Sequence, residues 1–269
     1  MPELPEVETT RRGLEPLITN QTVSKVSIYQ KKMRWEIPSS IPINLSQQVV
    51  NGIDRRGKYL LIRFDVGVLI MHLGMSGSIR FVDESEELQK HDHFEICFEN
   101  NKSMRLNDPR RFGCVLFSEN GEHKLLSNLG VEPLTEDLDD EYLYSRSRLK
   151  KQNIKSYIMD AKVVVGVGNI YACESLYMAG INPKKMARSV SLKSYKLLTR
   201  SIKYILTKAI DAGGTTLQDF SQVDGSPGYF SQTLSVYGRE GEKCNTCNGK
   251  ISRIVQNQRS TFYCTKCQN

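Results

Sequence analysis

The sequence predicts an α+β protein of several domains, in which a β domain follows a first helix, a helical domain comes next and a small cysteine module ends the chain. Three observations predict this arrangement. Residues 19–118 hold short runs of β-branched and aromatic residues, helical periodicity begins near residue 135, and four of the seven cysteines fall in the last 26 residues. The 269 residues are enough for one large domain or for two to three small ones.

The chain opens MPELPEVE, and a first helix is predicted over about residues 5–18. Pro5 fits the first turn of this helix, where a missing N–H costs nothing, and the neighbouring glutamates lie near the positive end of the helix dipole. Pro2 has no such explanation. If the initiator methionine is removed, Pro2 carries an α-amine with a pKa of roughly 7.7–8, and such an amine can form a Schiff base. From this segment alone, a structural and a catalytic interpretation both stay open.

Residues 19–118 are dominated by segments typical of β-strands. They are short, and turn signals such as Asn51-Gly52 and Asn120-Gly121 punctuate the region. The segments are VSKVSIY, KYLLIRF, VLIMHLG, SGSIRFV, HFEICFE and CVLF. Several strands at this spacing predict a sandwich or a barrel.

Two turn-like segments of the β region, HLGMSGS and NDPRRFG, carry bulky apolar residues. Met75 and Phe112 could pack into the β core, or they could form an apolar wedge beside an arginine, a device by which proteins unstack bases. His91 and His93 could ligate a metal, but no third ligand is evident in the sequence, which favours surface or hydrogen-bonded histidines.

The region after residue 135 is predicted to be largely helical. One amphipathic helix begins after Ser191, which can cap it, and ends at Gly213. In GVGNIYACESLYMAG, Asn169 could cap a second helix, whose N-terminus could bind an anion or follow a simple tight turn. The basic run SRSRLKKQNIK could contact phosphate groups or form a solvated helix face.

The C-terminal cysteines follow the pattern C-x2-C, sixteen residues, C-x2-C, which predicts one tetrahedral zinc site. Its ligands are Cys244, Cys247, Cys264 and Cys267. The metal is expected to stabilise a segment with few apolar residues of its own, and five basic residues without an acid between residues 243 and 269 suit contact with nucleic acid. The turn between the cysteine pairs would project Arg259, for which spacing alone favours an ordinary surface arginine.

Composition narrows the class of protein. A net charge of +7 and a pI near 9.0 favour a polyanionic partner. No apolar run approaches the length of a membrane span, and the charged N-terminus lacks the core of a signal peptide. We therefore expect a cytoplasmic protein with reduced thiols, in which the three cysteines outside the module are small buried apolar residues.

In their order and spacing, the segments of the chain resemble the formamidopyrimidine-DNA glycosylase family from end to end. The matching segments are PELPEVET, RRGKYL, HLGMSGS, KHDH, DPRRFG, GVGNIYA and TFYCTKCQ. No segment departs from the family pattern at a position that the family uses.

The resemblance implies a base-excision repair enzyme, both DNA glycosylase and AP lyase, that removes 8-oxoguanine and formamidopyrimidines from damaged double-stranded DNA. By resemblance, the amine of Pro2 attacks C1′ of the damaged nucleotide, and the resulting imine leads to β- and δ-elimination. Glu3 serves as general acid and base, and Lys58 donates a proton in β-elimination. Arg259 holds a phosphate of the lesion and assists δ-elimination.

The resemblance also implies how DNA is held. The residues implied to bind it are His91, Arg110, Lys151, Lys155, Asn169, Met75 and Phe112. Lys155 and Asn169 lie around the lesion phosphate in this picture, while Met75, Arg110 and Phe112 fill the gap left by the flipped nucleotide.

The implied architecture has three parts, with DNA in the cleft between domains. A β-sandwich spans 1–133, a helix–two-turn–helix domain spans 134–234 and a zinc finger spans 235–269, while a loop at about 216–229 closes over the lesion. One structural zinc ion, a monomeric state and association with the nucleoid complete the expectation. Two alternatives stay open: an endonuclease VIII-like glycosylase for oxidised pyrimidines, and a non-catalytic zinc-ribbon protein that binds DNA.

Overall fold

The computed structural model divides the chain into two compact units, which are described one at a time. The described residues are 2–215, 223 and 230–269. The first unit comprises Met1–Ser127 and Ala212–Ser231, and the second comprises Asn128–Asp211 and Gln232–Asn269. Within the described part of the chain, no helix has both the length and the apolar character needed to cross a bilayer.

The first unit combines one long helix with antiparallel strands. Its elements are α1 (Leu4–Ile18), β1 (Val23–Ile28), α2 (Ile41–Leu45), β2 (Gly52–Arg56), β3 (Tyr59–Phe64), β4 (Gly67–His72), β5 (Ser78–Asp83), β6 (Asp92–Phe98), β7 (Lys102–Asn107), β8 (Cys114–Ser118) and α3 (Lys124–Ser127). The predicted first helix is confirmed, with Pro5 in its first turn and Pro16 inside it.

The strands form two four-stranded sheets, in the orders β1-β6-β7-β5 and β2-β3-β4-β8. One hydrophobic core receives side chains from both sheets and from α1, including Phe94 of the first sheet, Leu60 of the second and Leu14 of the helix. Each of these three side chains is fully buried, which contributes roughly 1.5–3 kcal/mol per side chain. The predicted β-sandwich with a flanking helix is therefore confirmed.

Two strands of the sandwich escape the sequence pattern. The segment GIDRR forms β2, so that Gly52 begins a strand instead of completing a turn. The segment KSMRLN forms β7, a central strand whose polar letters suggest a loop. Arg105 of β7 is only 2% exposed because its Nε donates to Glu95 Oε1 at 2.6 Å, and a buried ion pair of this kind looks like surface in a sequence.

The second unit contains the helices and the C-terminal hairpin. Its main elements are α4 (Tyr142–Ser147), α5 (Ile154–Ile158), α6 (Asn169–Met178), α7 (Leu192–Asp211), β9 (Ile251–Gln256) and β10 (Arg259–Cys264). The predicted cap of the amphipathic helix is confirmed, since Ser194 N donates to Ser191 Oγ at 3.2 Å. The predicted cap of α6 is wrong: Gly168 occupies the N-cap, and Asn169 is the first helical residue.

Candidate active site and nucleic-acid interface

The predicted catalytic pair lies at the start of α1. Pro2 is buried, and Glu3, the N-cap of the helix, is 1% exposed. Glu3 and Glu6 form a capping box, in which Glu3 N donates to Glu6 Oε2 at 2.8 Å. The backbone beside Pro2 is therefore held in one conformation, with a carboxylate at the end of the helix where the dipole favours negative charge.

Glu6 makes a second contact that sequence reasoning missed. Its Oε1 accepts a hydrogen bond from Thr215 N at 2.8 Å, and Glu6 is itself 2% exposed. The sequence shows only an acid in the first turn of a helix. The spacing of Glu3 and Glu6 signals the capping box, but nothing local signals a partner 209 residues away.

Lys58 lies in the two-residue turn between β2 and β3, beside Gly57, which has a φ of 58°. Arg55 Nη1 donates to the carbonyl of Gly57 at 2.9 Å, while Arg55 Nε donates to Glu8 Oε2 of α1 at 2.9 Å. Helix α1 therefore also supports the turn that carries Lys58.

The electrostatics of this region are set by burial and by arginines. Burial raises the pKa of Glu8, but hydrogen bonds from Arg11, Arg55 and Arg12 outweigh burial and hold the pKa below its ordinary value. His72, at the end of β4, shows the opposite case. Burial, assisted by the positive charge of Lys58, lowers the pKa of His72 to about 4, and Gly74 N donates to its Nδ1 at 2.9 Å. His72 is therefore neutral at pH 7.

The structure brings the segments that carry Met75, Arg110 and Phe112 together. A Cβ on Gly74 would lie 2.4 Å from the backbone of Phe112, so the two segments are in close contact. Phe112 is 43% exposed, and the guanidinium of Arg110 lies 5.1 Å from its ring centroid. Met75 is partly exposed. Phe112 therefore does not pack into the β core, and its role as a wedge stays a prediction.

A buried carboxylate fixes both of these segments. Asp108 is 0% exposed, and its Oδ1 accepts from Ser76 Oγ at 2.8 Å while its Oδ2 accepts from Gly113 N at 2.8 Å. Ser76 follows Met75, and Gly113 follows Phe112. The side chains of Met75 and Phe112, which belong to the predicted wedge, thus project from backbone that the hydrogen bonds of Asp108 hold in place.

His91 is partly exposed and has a φ of 79°. Its ring meets the ring of His93 edge to face, with centroids 6.0 Å apart. His93 is buried and its Nε2 lies 2.9 Å from the carbonyl of Asp108. Neither histidine belongs to a cluster of potential metal ligands among the described residues. His91 therefore remains a predicted DNA contact.

In the second unit, Lys155 and Asn169 converge on the C-terminal hairpin. Lys155 is 1% exposed, and its Nζ donates to the Ser260 carbonyl at 3.0 Å and to Thr261 Oγ1 at 2.7 Å. Asn169 Nδ2 donates to the same Ser260 carbonyl at 3.0 Å. Because Ser260 follows Arg259 in the chain, three predicted phosphate contacts are grouped around one stretch of backbone.

The basic run at residues 145–155 does not form one surface. Arg148 turns inward: its guanidinium lies 3.8 Å from the centroid of the Tyr144 ring, and its Nη2 donates to the Val190 carbonyl at 3.0 Å. Lys151 is exposed, whereas Lys155 is buried. Of the two interpretations of the run, a solvated helix face does not fit Arg148 or Lys155.

Glu174 of α6 anchors the segment that leads to the cysteine module. This residue is 3% exposed, and its carboxylate accepts backbone N–H groups of Ser235 at 2.9 Å, Val236 at 2.9 Å and Tyr237 at 2.8 Å. Burial raises the pKa of Glu174, and the three amide donors oppose that rise. The Tyr237 ring packs edge to face on Phe262, with centroids 5.1 Å apart.

The four cysteines of the module fit one zinc ion. Their sulfur atoms all lie within 4.8 Å of one another, with 3.8 Å between Cys244 and Cys267 and 3.5 Å between Cys247 and Cys264. A tetrahedral site with Zn–S distances of about 2.3 Å requires sulfur separations of about 3.8 Å. Four sulfur ligands complete the tetrahedron and leave no open position for water or substrate, which is typical of a structural zinc site.

The surface of the module is basic, as predicted. Lys243, Lys250, Arg253, Arg259 and Lys266 are all exposed. Arg259 begins β10 directly after the turn formed by Asn257 and Gln258, both of which have positive φ. The other cysteines, Cys97, Cys114 and Cys173, are buried free thiols, as expected.

Family models account for most of the chain. The formamidopyrimidine-DNA glycosylase N-terminal domain matches residues 1–115, the H2TH domain of the same family matches residues 129–221, and a zinc finger found in FPG and IleRS matches residues 241–269.

The loop expected at about 216–229 lies outside the described residues, except for Val223.

Known proteins agree with these matches. The chain is 64% identical to the formamidopyrimidine-DNA glycosylase of Ruthia magnifica and 50% identical to that of Idiomarina loihiensis, over 100% of each chain. It superimposes with a TM-score of 0.92 on a Lactococcus lactis FPG mutant bound to Fapy-dG-containing DNA, at 34% identity over 100% of both chains. A Thermus thermophilus MutM (FPG) structure gives a TM-score of 0.90 at 36% identity, over 99% of this chain and 98% of that one. The chain therefore belongs to the formamidopyrimidine-DNA glycosylase family.

Proposed function

We propose that this chain is a bifunctional DNA glycosylase and AP lyase that removes 8-oxoguanine and formamidopyrimidines from damaged double-stranded DNA in base-excision repair. The observation that carries the proposal is the buried start of α1, where Pro2 adjoins Glu3, a carboxylate that is 1% exposed. Once Met1 is removed, the secondary amine of Pro2 is the nucleophile.

The reaction runs in three bond-breaking stages. The nitrogen of Pro2 bonds to C1′ of the flipped nucleotide, and the bond from C1′ to the base breaks while Glu3 exchanges protons at the sugar. In the same stage the C1′–O4′ bond breaks as Glu3 passes a proton to O4′, which opens the sugar and turns the adduct into an imine. The imine makes the C2′ proton acidic, and once that proton is removed its electron pair forms the C2′–C3′ double bond and expels the 3′ phosphate by β-elimination, with Lys58 as proton donor. Loss of the 5′ phosphate by δ-elimination follows, assisted by Arg259.

The remaining site residues hold the DNA. We assign phosphate contacts to Lys155, Asn169 and Arg259, which are grouped around Ser260. Met75, Arg110 and Phe112 take the space of the flipped nucleotide, which costs a few kcal/mol to unstack. His91 and Lys151 are further DNA contacts. The chain acts as a monomer, and its DNA substrate brings it to the nucleoid.

Borohydride trapping tests the covalent step. We expect the wild-type protein to form a reduced adduct with an abasic oligonucleotide, and Pro2→Gly to lose most of that adduct while staying folded. Intact mass measured on the same sample should show that Met1 is absent. A wild-type protein that binds DNA but gives no adduct would identify a non-catalytic zinc-ribbon protein instead.

Substrate preference tests the purine assignment. Matched duplexes that carry 8-oxoguanine or thymine glycol should be processed under identical conditions with enzyme in excess. We expect faster excision of 8-oxoguanine. A wide margin in favour of thymine glycol would replace the purine assignment with an endonuclease VIII-like activity.

A further inference from the structure

The carboxylate of Glu6 joins two segments that are distant in sequence. Its Oε2 accepts from Glu3 N at 2.8 Å, and its Oε1 accepts from Thr215 N at 2.8 Å. Glu6 is 2% exposed and Thr215 is 4% exposed, so both bonds are shielded from water. All of these residues belong to the first unit.

Helix capping explains only one of the two bonds. The bond from Glu3 N completes the capping box, and any exposed helix gains from such a bond. The bond from Thr215 adds nothing to the helix. It instead ties the chain that follows α7 to the residue pair beside Pro2.

Helix α1 meets the same stretch of chain a second time. Val223 is 7% exposed and belongs to the hydrophobic core of the first unit. Its Cγ2 would lie 3.2 Å from a Cβ built on Gly13, so the helix approaches Val223 closely at a position without a side chain. Two contacts therefore align α1 with the chain around Thr215 and Val223.

We infer that Glu6 is a positioning residue for the proposed reaction. It holds the Pro2 amine at a fixed position relative to the backbone of Thr215. Both of its carboxylate oxygens accept backbone N–H groups, so we assign Glu6 an effect on the reaction through the neighbours that it holds. The inference rests on the proposed function, because it assigns the reaction to Pro2.

Glu6→Gln is the decisive variant. A carboxylate has acceptors only, whereas a carboxamide has one oxygen that accepts and one nitrogen that donates. Because Glu3 N and Thr215 N are both donors, glutamine of the same size can satisfy one of them and must present a donor to the other. Glu15→Gln is the matched control, since it makes the same change on an exposed part of α1, where Glu15 pairs with Arg11.

The experiment measures three quantities under single-turnover conditions. They are the rate and the final yield of borohydride trapping on 8-oxoguanine DNA, the dissociation constant for DNA with a tetrahydrofuran abasic analogue, and amide hydrogen exchange in the peptides that contain Glu3 and Thr215. We expect Glu6→Gln to slow trapping about tenfold at unchanged yield, with the dissociation constant within about twofold of wild type. Exchange should accelerate in at least one of the two peptides, and Glu15→Gln should match wild type in all three measurements.

The outcomes separate three explanations. A trapping rate within about twofold of wild type, or a loss confined to the final yield, would overturn the inference, because a misfolded fraction lowers yield and leaves the rate of the folded remainder unchanged. Unchanged exchange in both peptides would also overturn it. Failure of the wild-type protein to form any adduct would instead refute the proposed function.

Discussion

Replacement of Asp108 should show how much its two buried hydrogen bonds contribute to the positions of Met75, Arg110 and Phe112, the proposed wedge. Asp108 is 0% exposed, and its two oxygens accept from Ser76 Oγ and Gly113 N, each at 2.8 Å. In Asp108→Ala both donors lose their acceptor inside the protein, at roughly 1–3 kcal/mol each. We therefore expect the free energy of unfolding to fall by about 4 kcal/mol.

Asp108→Asn is the matched control because it keeps the size of the side chain. Its amide oxygen can accept from Gly113 N, and its amide nitrogen can donate to Ser76 Oγ, since a hydroxyl group accepts as well as donates. We expect a loss of about 1 kcal/mol in this variant. Urea unfolding of the two variants and the wild type measures the difference.

Activity provides the second half of the Asp108 test. Because the proposed wedge takes the place of a stacked base, Asp108→Ala should slow excision of 8-oxoguanine from duplex DNA more than cleavage of a single strand with a preformed abasic site. Phe112→Ala should show the same division with little loss of stability, because Phe112 is 43% exposed. If Asp108→Asn is as destabilising as Asp108→Ala, or if both substrates slow equally, the assigned role of this carboxylate is wrong.

Two further predictions concern pH and metal. The pKa of His72 drops from 6.5 to about 4 on folding, so its contribution, up to about 3 kcal/mol, is complete above pH 6.5 and is lost as the pH falls toward 4. Thermal unfolding between pH 7 and pH 4 should accordingly be less pH-dependent in His72→Gln, and equal slopes would contradict the assigned pKa. Cys247→Ser should lose zinc on dialysis and bind DNA more weakly, while Cys97→Ala, which alters a thiol outside the module, should keep one zinc per chain. Full metal content in Cys247→Ser would rule out the four-cysteine site.

Local patterns predict the parts of the fold that depend on local physics. Alternation and turn residues identify most strands of the sandwich, the 3.6-residue period identifies α7, and cysteine spacing identifies the zinc ligands. The strand β7 is missed because Arg105 is neutralised by Glu95, which lies ten residues away in the chain. A sequence shows the charge but not the partner that makes burial of that charge possible.

The same limit applies to the candidate site. The run that contains Arg148, Lys151 and Lys155 looks uniformly basic, yet Arg148 packs on Tyr144 and Lys155 is enclosed beside Ser260. Aromatic rings and carbonyl groups from other elements determine which cation faces inward. The sequence therefore shows that the segment is basic and suits contact with DNA. It does not show which of these side chains are exposed to solvent and which are buried.

The three glutamates of MPELPEVE show how tertiary partners create distinct roles from equivalent letters. In the sequence all three are acids near a helix N-terminus, and the dipole explains them equally well. In the structure Glu3 caps the helix beside Pro2, Glu6 receives the amide of Thr215, and Glu8 holds Arg55, which in turn donates to the turn that carries Lys58. Since only a partner far along the chain distinguishes Glu6 from Glu8, substitution of each glutamate should perturb a different step. A single helix thereby connects the proposed nucleophile, the proposed proton donor and the chain at Thr215.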